Sequence, residues 1–417
     1  MVATASVRVG IPGFVFAFAA DHTAVPFRSY PLSSSPESHL IFDPNTIIAD
    51  RARAIDASGI RKVFDMAASM KDPINLSIGQ PDFDVPEAIK QRAIQAIEHG
   101  RNRYTPTQGI ADLVEPIRHQ VENDTGWKQP GIMVLSGTSG GIMLAMFACL
   151  NPGDEVIFLD PYFVMYKHLP KLVGAVPVSV DSYPDFRLDA KKIQAAVTPR
   201  TRMLVICSPN NPTGMAYTSA ELEAVAAVAR RHGLLVLSDE IYDAFCYQPH
   251  VSIAPMLPDQ CLLLKGYSKT YAMTGWRLGY AAGPRPIIDQ MIKLQQYTFV
   301  CAPSPAQYAA LELLHSNSVD MTPHIDEYRR RRDRMVEGLG DLYPVGNPGG
   351  AFYVFAKAPG GWSGNELVRR AISKNVLLIP GSVFSDRDTH FRISYAASPA
   401  HIEKGIAVLR ELAQEAQ

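Results

Sequence analysis

The sequence predicts an α/β protein: a large domain with a mainly parallel seven-stranded sheet flanked by helices, plus a smaller α+β domain. Three observations carry this expectation. Between Pro73 and about Pro323, seven short apolar runs alternate with helical segments. Each run is nearly continuous in apolar residues, as strands covered on both faces are. Beyond Pro323 the order changes to helix, strand, helix, strand, helix. At 417 residues, 47% hydrophobic and 19% charged, the chain is too apolar for disorder and long enough for more than one core.

The elements follow in order. Residues 1–42 form a leader or tail expected to be poorly ordered. Its first twenty residues hold one charge, Arg8, and Pro31 to Pro36 reads as a Ser/Pro-rich linker. Ala17-Phe18-Ala19 could pass for a signal-peptidase site, but the preceding region is weakly basic and the apolar run is broken by Pro12 and Gly13. Residues 43–75 are expected to pack on the small domain, with Ile47 to Met70 helical from apolar positions at 3–4 spacing. A large domain over 76–323 takes the strands Ile132–Leu135, Val156–Leu159, Val176–Val180, Met203–Cys207, Leu234–Ser238, Leu262–Lys265 and Leu278–Ala282. Helices lie at Ile142–Leu150, Ala220–Arg231 and Ile287–Tyr297, the second preceded by the capping box Thr218-Ser219-Ala220-Glu221. The small domain, 324–417, takes a charged helix at Ile325–Leu339, strands at Ala351–Phe355 and Phe391–Tyr395, and a terminal helix through Ile402, Ile406, Leu409 and Leu412.

Charge and cysteine usage narrow the function. Forty Lys and Arg against 41 Asp and Glu give a net charge of −1, so nothing draws the chain to nucleic acid or an anionic membrane. Charges or prolines interrupt every apolar run before the roughly 18–20 residues that a membrane helix needs. Cys149, Cys207, Cys246, Cys261 and Cys301 lack metal-ligand spacing and read as free thiols in a reducing compartment. A soluble, cytoplasmic enzyme without a metal is expected.

Doubly wound sheets place ligands at the carboxyl ends of their strands. After the first strand, Ser136-Gly137-Thr138-Ser139-Gly140-Gly141 opens a helix whose free N–H groups suit an anion, though a capped helix would read the same way. After the fourth comes Asn211-Pro212-Thr213-Gly214, by itself an ordinary turn. Asp239-Glu240-Ile241-Tyr242 ends a very apolar strand. An acid there is either a helix cap or the partner of a cation. The sixth strand leads into Lys269 among small and apolar residues, where an amine loses its proton readily, with Arg277 eight residues on.

Gly266 to Gly279 resembles the lysine signature of class I pyridoxal-phosphate aminotransferases at every defined position. Its companions stand in the family's order: Gly79-Gln80-Pro81-Asp82-Phe83, Arg103-Tyr104-Thr105-Pro106, Asp160-Pro161-Tyr162-Phe163, Asn211-Pro212-Thr213-Gly214, Asp239-Glu240-Ile241-Tyr242 and Phe391-Arg392-Ile393-Ser394. The resemblance spans about residues 45 to 415. It implies the two-domain fold of these enzymes and pyridoxal 5'-phosphate as cofactor. Lys269 would carry the cofactor aldehyde and move the proton, and Asp239 would pair with the pyridine nitrogen. Asn211 and Tyr242 would bond the phenolic oxygen, and Phe163 would stack on the ring. Thr138, Ser139 and the following backbone N–H groups, Gly140 included, would hold the phosphate with Ser268 and Arg277. Arg392 would grip the substrate α-carboxylate, with the Gly79 backbone beside it. Tyr104 would reach the phosphate of a neighbouring subunit and so require a homodimer; without the resemblance it reads as a surface tyrosine.

The implied partners are a small amino acid and a 2-oxo acid such as 2-oxoglutarate. Relatives specific for aspartate need a second cation, and one subgroup places a lysine where this sequence has Ser139. Ser58-Gly59-Ile60 is more similar to broad or aromatic-accepting relatives, with Ile60 at the substrate entrance. Aspartate and aromatic amino acids are therefore the leading substrates. A β-lyase or synthase on the same fold is the alternative reading. A non-catalytic regulator is a third, disfavoured because Lys269, Asp239 and Arg392 are all retained.

Overall fold

The computed structural model describes residues 42–56, 59–314 and 319–417. The expected leader, apart from Phe42, lies outside them, as does Ser58. Among the described residues twelve strands fall into three sheets. In chain order they are β1 (Ile74–Asn75), β2 (Gly131–Leu135), β3 (Glu155–Asp160), β4 (Val176–Asp181), β5 (Thr201–Cys207), β6 (Leu235–Asp239), β7 (Cys261–Gly266), β8 (Gly279–Gly283), β9 (Tyr353–Lys357), β10 (Val376–Leu377), β11 (Ile379–Pro380) and β12 (His390–Ser394).

The seven-stranded sheet has the order β2-β8-β7-β6-β5-β3-β4. Every pairing is parallel except those of β8, which runs antiparallel to both β2 and β7. Alternation along each strand feeds two separate cores. Ile132, Val134, Leu204, Ile206 and Val236 enter one, while Met133, Leu135, Met203, Val205 and Leu237 enter the other. That is why these runs carry no polar face. The expectation fails at β4, an edge strand on which only Val180 is buried; Pro177 is tolerated there because an edge need not donate on its free side.

The helix Ser219–His232 opens with the expected capping box, Thr218 and Glu221 each bonding the other's backbone, and ends at Gly233 with φ 63°. A third core surrounds the small antiparallel sheet β11-β12-β9, which packs the helices Thr322–Leu339, Gly364–Ser373 and Pro399–Glu415. The two-residue β1 pairs in parallel with β10.

A second expectation is corrected. Residues 47–70 do not form one helix: a 3₁₀ turn at Pro44–Ile47 and a short helix at Asp50–Arg53 precede a separate helix at Gly59–Ser69. Asp56 and Gly59, both weak helix formers, flank the break, and Ile48 and Ala52 are exposed with Ile55 only half-buried, so the spaced apolar pattern buries little there. Among the described residues no helix is long and apolar enough to cross a membrane.

Candidate active site

The carboxyl ends of β5, β6 and β7 lie side by side, and the β7–β8 connection, residues 267–278, brings Ser268, Lys269, Thr274 and Arg277 to the same cavity. That cavity, of about 300 Å³, lies between these strand ends, the start of the helix Gly137–Cys149 and β12. It is lined by twelve of the residues singled out from the sequence: Ile60, Gly79, Thr138, Ser139, Phe163, Asn211, Asp239, Tyr242, Ser268, Lys269, Arg277 and Arg392. Gly140 is buried one position past Ser139 and is not on the wall. Tyr104 is 83% exposed and does not reach the cavity of its own chain.

Lys269 donates to the Gly79 carbonyl oxygen at 2.6 Å. Burial, then the charges of Arg392 and Arg277, push its amine down to about 8, with Asp239 opposing them. Asp239 moves the other way, up to about 6, because burial penalises the carboxylate more than its hydrogen bonds restore it. Those bonds come from the Tyr166 hydroxyl to Oδ2 at 2.7 Å and the Ile241 N–H to Oδ1 at 3.3 Å. Such an acid is set to receive a cation.

Arg392 is 1% exposed. Its Nη1 donates to Asn211 Oδ1 at 3.0 Å and its Nη2 to the Ser77 carbonyl at 2.7 Å. Its Nε is buried without a partner, so the guanidinium has unused donors in a dry site. The Tyr353 and Phe384 rings lie 4.4 and 4.8 Å from its carbon. Because Asn211 accepts from Arg392 through its oxygen, its amide N–H₂ is left for the cavity.

The helix Gly137–Cys149 brings unpaired N–H groups to the wall at Thr138 and Ser139. Gly137 has φ 73°, and a Cβ there would run into the Arg277 guanidinium, so glycine lets the arginine close over the helix start. Arg277 itself sits at φ 52° and donates to the Thr274 carbonyl at 3.0 Å. Together with Ser268 this makes an anion cradle.

The paired acids part at the end of β6. Successive residues face opposite sides, so Asp239 enters the cavity while Glu240 accepts from Ser238 (2.9 Å) and Ser252 (2.5 Å) and meets His250 Nε2 at 3.0 Å. Burial opposes the imidazolium, yet Cys246 and Glu240 outweigh it and raise His250 to about 9. A histidine raised on folding stabilises fully below its unfolded value near 6.5, and that stability is lost as pH rises through about 9. Unfolding by urea at pH 6 and pH 9.5 should therefore show a loss of about 2–3 kcal/mol in the wild type, and much less in His250→Gln. Equal losses in both proteins would refute the ion pair.

Residues to which the sequence reading gave no role also line the cavity, among them Ser77, Gln80, Tyr166, Cys207, Ile241, Thr274 and Tyr353. A signal existed for Tyr166: three residues after Phe163 on the helix Val164–Leu172, it shares that face. None existed for Tyr353, which reaches the site only because β9 pairs with β12 beside Arg392.

Comparison with known proteins gives one answer. Residues 71–409 match the family model for aminotransferase class I and II. Over 375 residues the chain is 35% identical to a probable aspartate aminotransferase of Methanocaldococcus jannaschii, covering 88% of this chain and 100% of that one. It is also 35% identical to aromatic-amino-acid aminotransferase 2 of Thermococcus litoralis, over 88% of this chain and 98% of that one. The fold superposes on the aspartate aminotransferase from Thermus thermophilus solved with maleate with a TM-score of 0.84 and 34% identity, covering 88% of this chain and 99% of that one.

Proposed function

The chain belongs to the class I and II aminotransferases, a family that implies pyridoxal phosphate, and from that premise we propose that it passes the amino group of an L-amino acid, aspartate or an aromatic one, to a 2-oxo acid such as 2-oxoglutarate. One observation carries this reading: an amine pushed toward neutrality, a buried acid lacking a close cation and a buried guanidinium with unused donors all face one cavity.

The cavity's residues fit pyridoxal 5'-phosphate. When bound, that group supplies an aldehyde for amines and a ring that accepts negative charge from the amino-acid α-carbon. Thr138, Ser139, Ser268 and Arg277 would hold its phosphate, Gly140 adding a backbone N–H from the first turn. Phe163 would cover the ring. Asp239, turned by Tyr166, would hold the protonated ring nitrogen; that cation supplies the charge whose lack leaves the buried acid near 6. The free Asn211 amide and the Tyr242 hydroxyl would donate to the phenolic oxygen. Arg392 would bind the substrate α-carboxylate through two parallel N–H groups, with the Gly79 backbone beside it, fixing the α-carbon in front of Lys269. The Lys269 amine, neutral above about pH 8, would be placed to take the α-proton and to give it back two bonds away, across the amino nitrogen. Ile60 would face the substrate side chain.

Completion of the site by a homodimer is part of the reading. Tyr104 and Tyr297, 83% and 84% exposed, with Ile94 and Ile97, also exposed, offer apolar surface. Each Tyr104 would reach the other subunit's phosphate across a two-fold axis. The five free cysteines accord with a cytoplasmic enzyme.

Incubation with 2-oxoglutarate and single amino donors tests the assignment. Aspartate, phenylalanine and tyrosine should yield glutamate and their 2-oxo acids. Ammonia and pyruvate from β-substituted donors, with no glutamate, would instead establish a lyase.

A further inference from the structure

Tyr353 opens β9 and is fully buried. Its hydroxyl lies 3.0 Å from that of Tyr242, and its ring lies under the Arg392 guanidinium, 4.4 Å from the guanidinium carbon. A Cβ placed on Gly79 would be 3.0 Å from the Tyr353 hydroxyl and 3.9 Å from Arg392 Nη2, so hydroxyl and guanidinium border the same small space. That space is where the proposed function puts a substrate carboxylate, and the inference rests on that reading.

Two hydroxyls at this distance share one hydrogen bond, and only one of the two protons can lie between the oxygens. When Tyr353 donates, the Tyr242 proton is free to point into the cavity. When Tyr242 donates, its proton is used and that of Tyr353 is free. Burial raises both hydroxyls above the ordinary phenol range, but the Arg392 guanidinium under which the Tyr353 ring lies opposes this more at Tyr353 than at Tyr242, so Tyr353 is the better donor of the two to an arriving anion.

We propose that Tyr353 is a positioning residue that ties occupation of the Arg392 pocket to the direction of the Tyr242 hydrogen bond. With the pocket empty, Tyr353 donates to Tyr242, and Tyr242 donates to the cofactor's phenolic oxygen. A carboxylate on Arg392 draws the Tyr353 proton to itself. The Tyr353 oxygen then accepts from Tyr242, and the phenolic oxygen loses that donor. The cofactor linkage becomes more basic just when a substrate amine must give up a proton to react.

The holoenzyme is titrated by its visible absorbance with and without propionate, a carboxylate that has no amino group. In the wild type, propionate should raise the pH midpoint of the band by about 0.5–1 unit, the equivalent of one hydrogen bond. Tyr353→Phe keeps the ring under Arg392 and removes only the oxygen; the shift should fall below half its wild-type size. Should that variant misfold, Tyr242→Phe decides, because it removes the other end of the same bond and should lose the response as well. A propionate shift of wild-type size in the folded variant would overturn the role of Tyr353 and leave the assigned function standing. A protein with no lysine-bound visible band would overturn both.

Discussion

Lys269→Ala should abolish turnover, by on the order of 10⁴-fold or more, while leaving the fold intact. The size of the effect follows from two losses in one substitution: the amine that would hold the cofactor and the base that would move the α-proton. The fold should survive because the Lys269 side chain makes one hydrogen bond, to the Gly79 carbonyl, and joins no ion pair among the described residues. The yellow colour of the purified protein should go with it, or persist only as loosely held cofactor that dialysis removes. Circular dichroism with single-turnover absorbance checks both halves. Normal turnover would remove Lys269 from the chemistry.

Asp239→Ala should come second, lowering the rate of the first half-reaction by about 10²–10⁴-fold, the range for losing one buried electrostatic partner of the reacting group. Asp239 is 3% exposed. Burial outweighs its hydrogen bonds and leaves its carboxyl raised to about 6, so the chain bears the cost of burying an acid that its own residues do not fully neutralise. Without a carboxylate the cofactor's ring nitrogen would have no counter-charge and would withdraw electrons poorly. Substrate affinity should change little, because Arg392 would still be there to hold the carboxylate. A near-normal half-reaction would make Asp239 a structural acid, held for its bonds to Tyr166 and Ile241.

Much of the scaffold was legible because the large sheet is buried on both faces. Uninterrupted apolar runs such as Met203–Cys207 and Leu262–Lys265 admit few other readings, and the Thr218 capping box marks its helix locally. What sequence order could not give was pairing. The return strand β8 has the same apolar texture as its parallel neighbours, and only its pairing with β2 and β7 shows its direction. The break between Arg53 and Gly59 likewise depends on what a helix would bury there, not on spacing. In the site, the strand ends placed Asn211, Asp239 and Lys269 together, since parallel strands bring their carboxyl ends to one edge. Tyr353 and Ser77 were invisible because they come from distant segments and carry no motif. Glu240 shows the converse: adjacent to Asp239 and equally acidic, it turns away because side chains alternate along a strand, and it is used by His250 and two serines.

The pivotal place of Lys269 is tested most directly by reducing the yellow protein with borohydride, digesting it and finding which peptide retains the cofactor. The chain offers a built-in control four residues earlier. Lys265 pairs with Asp243 at 2.9 Å and lies 3.9 Å from Glu240, and these acids hold its amine protonated well above the usual range. Lys269, by contrast, is pushed down to about 8 and faces the cavity. The label should appear on Lys269 alone, in the peptide that contains Ser268 and Arg277 or ends between them. A label on Lys265 or any other lysine, with Lys269 unmodified, would contradict the account at its centre.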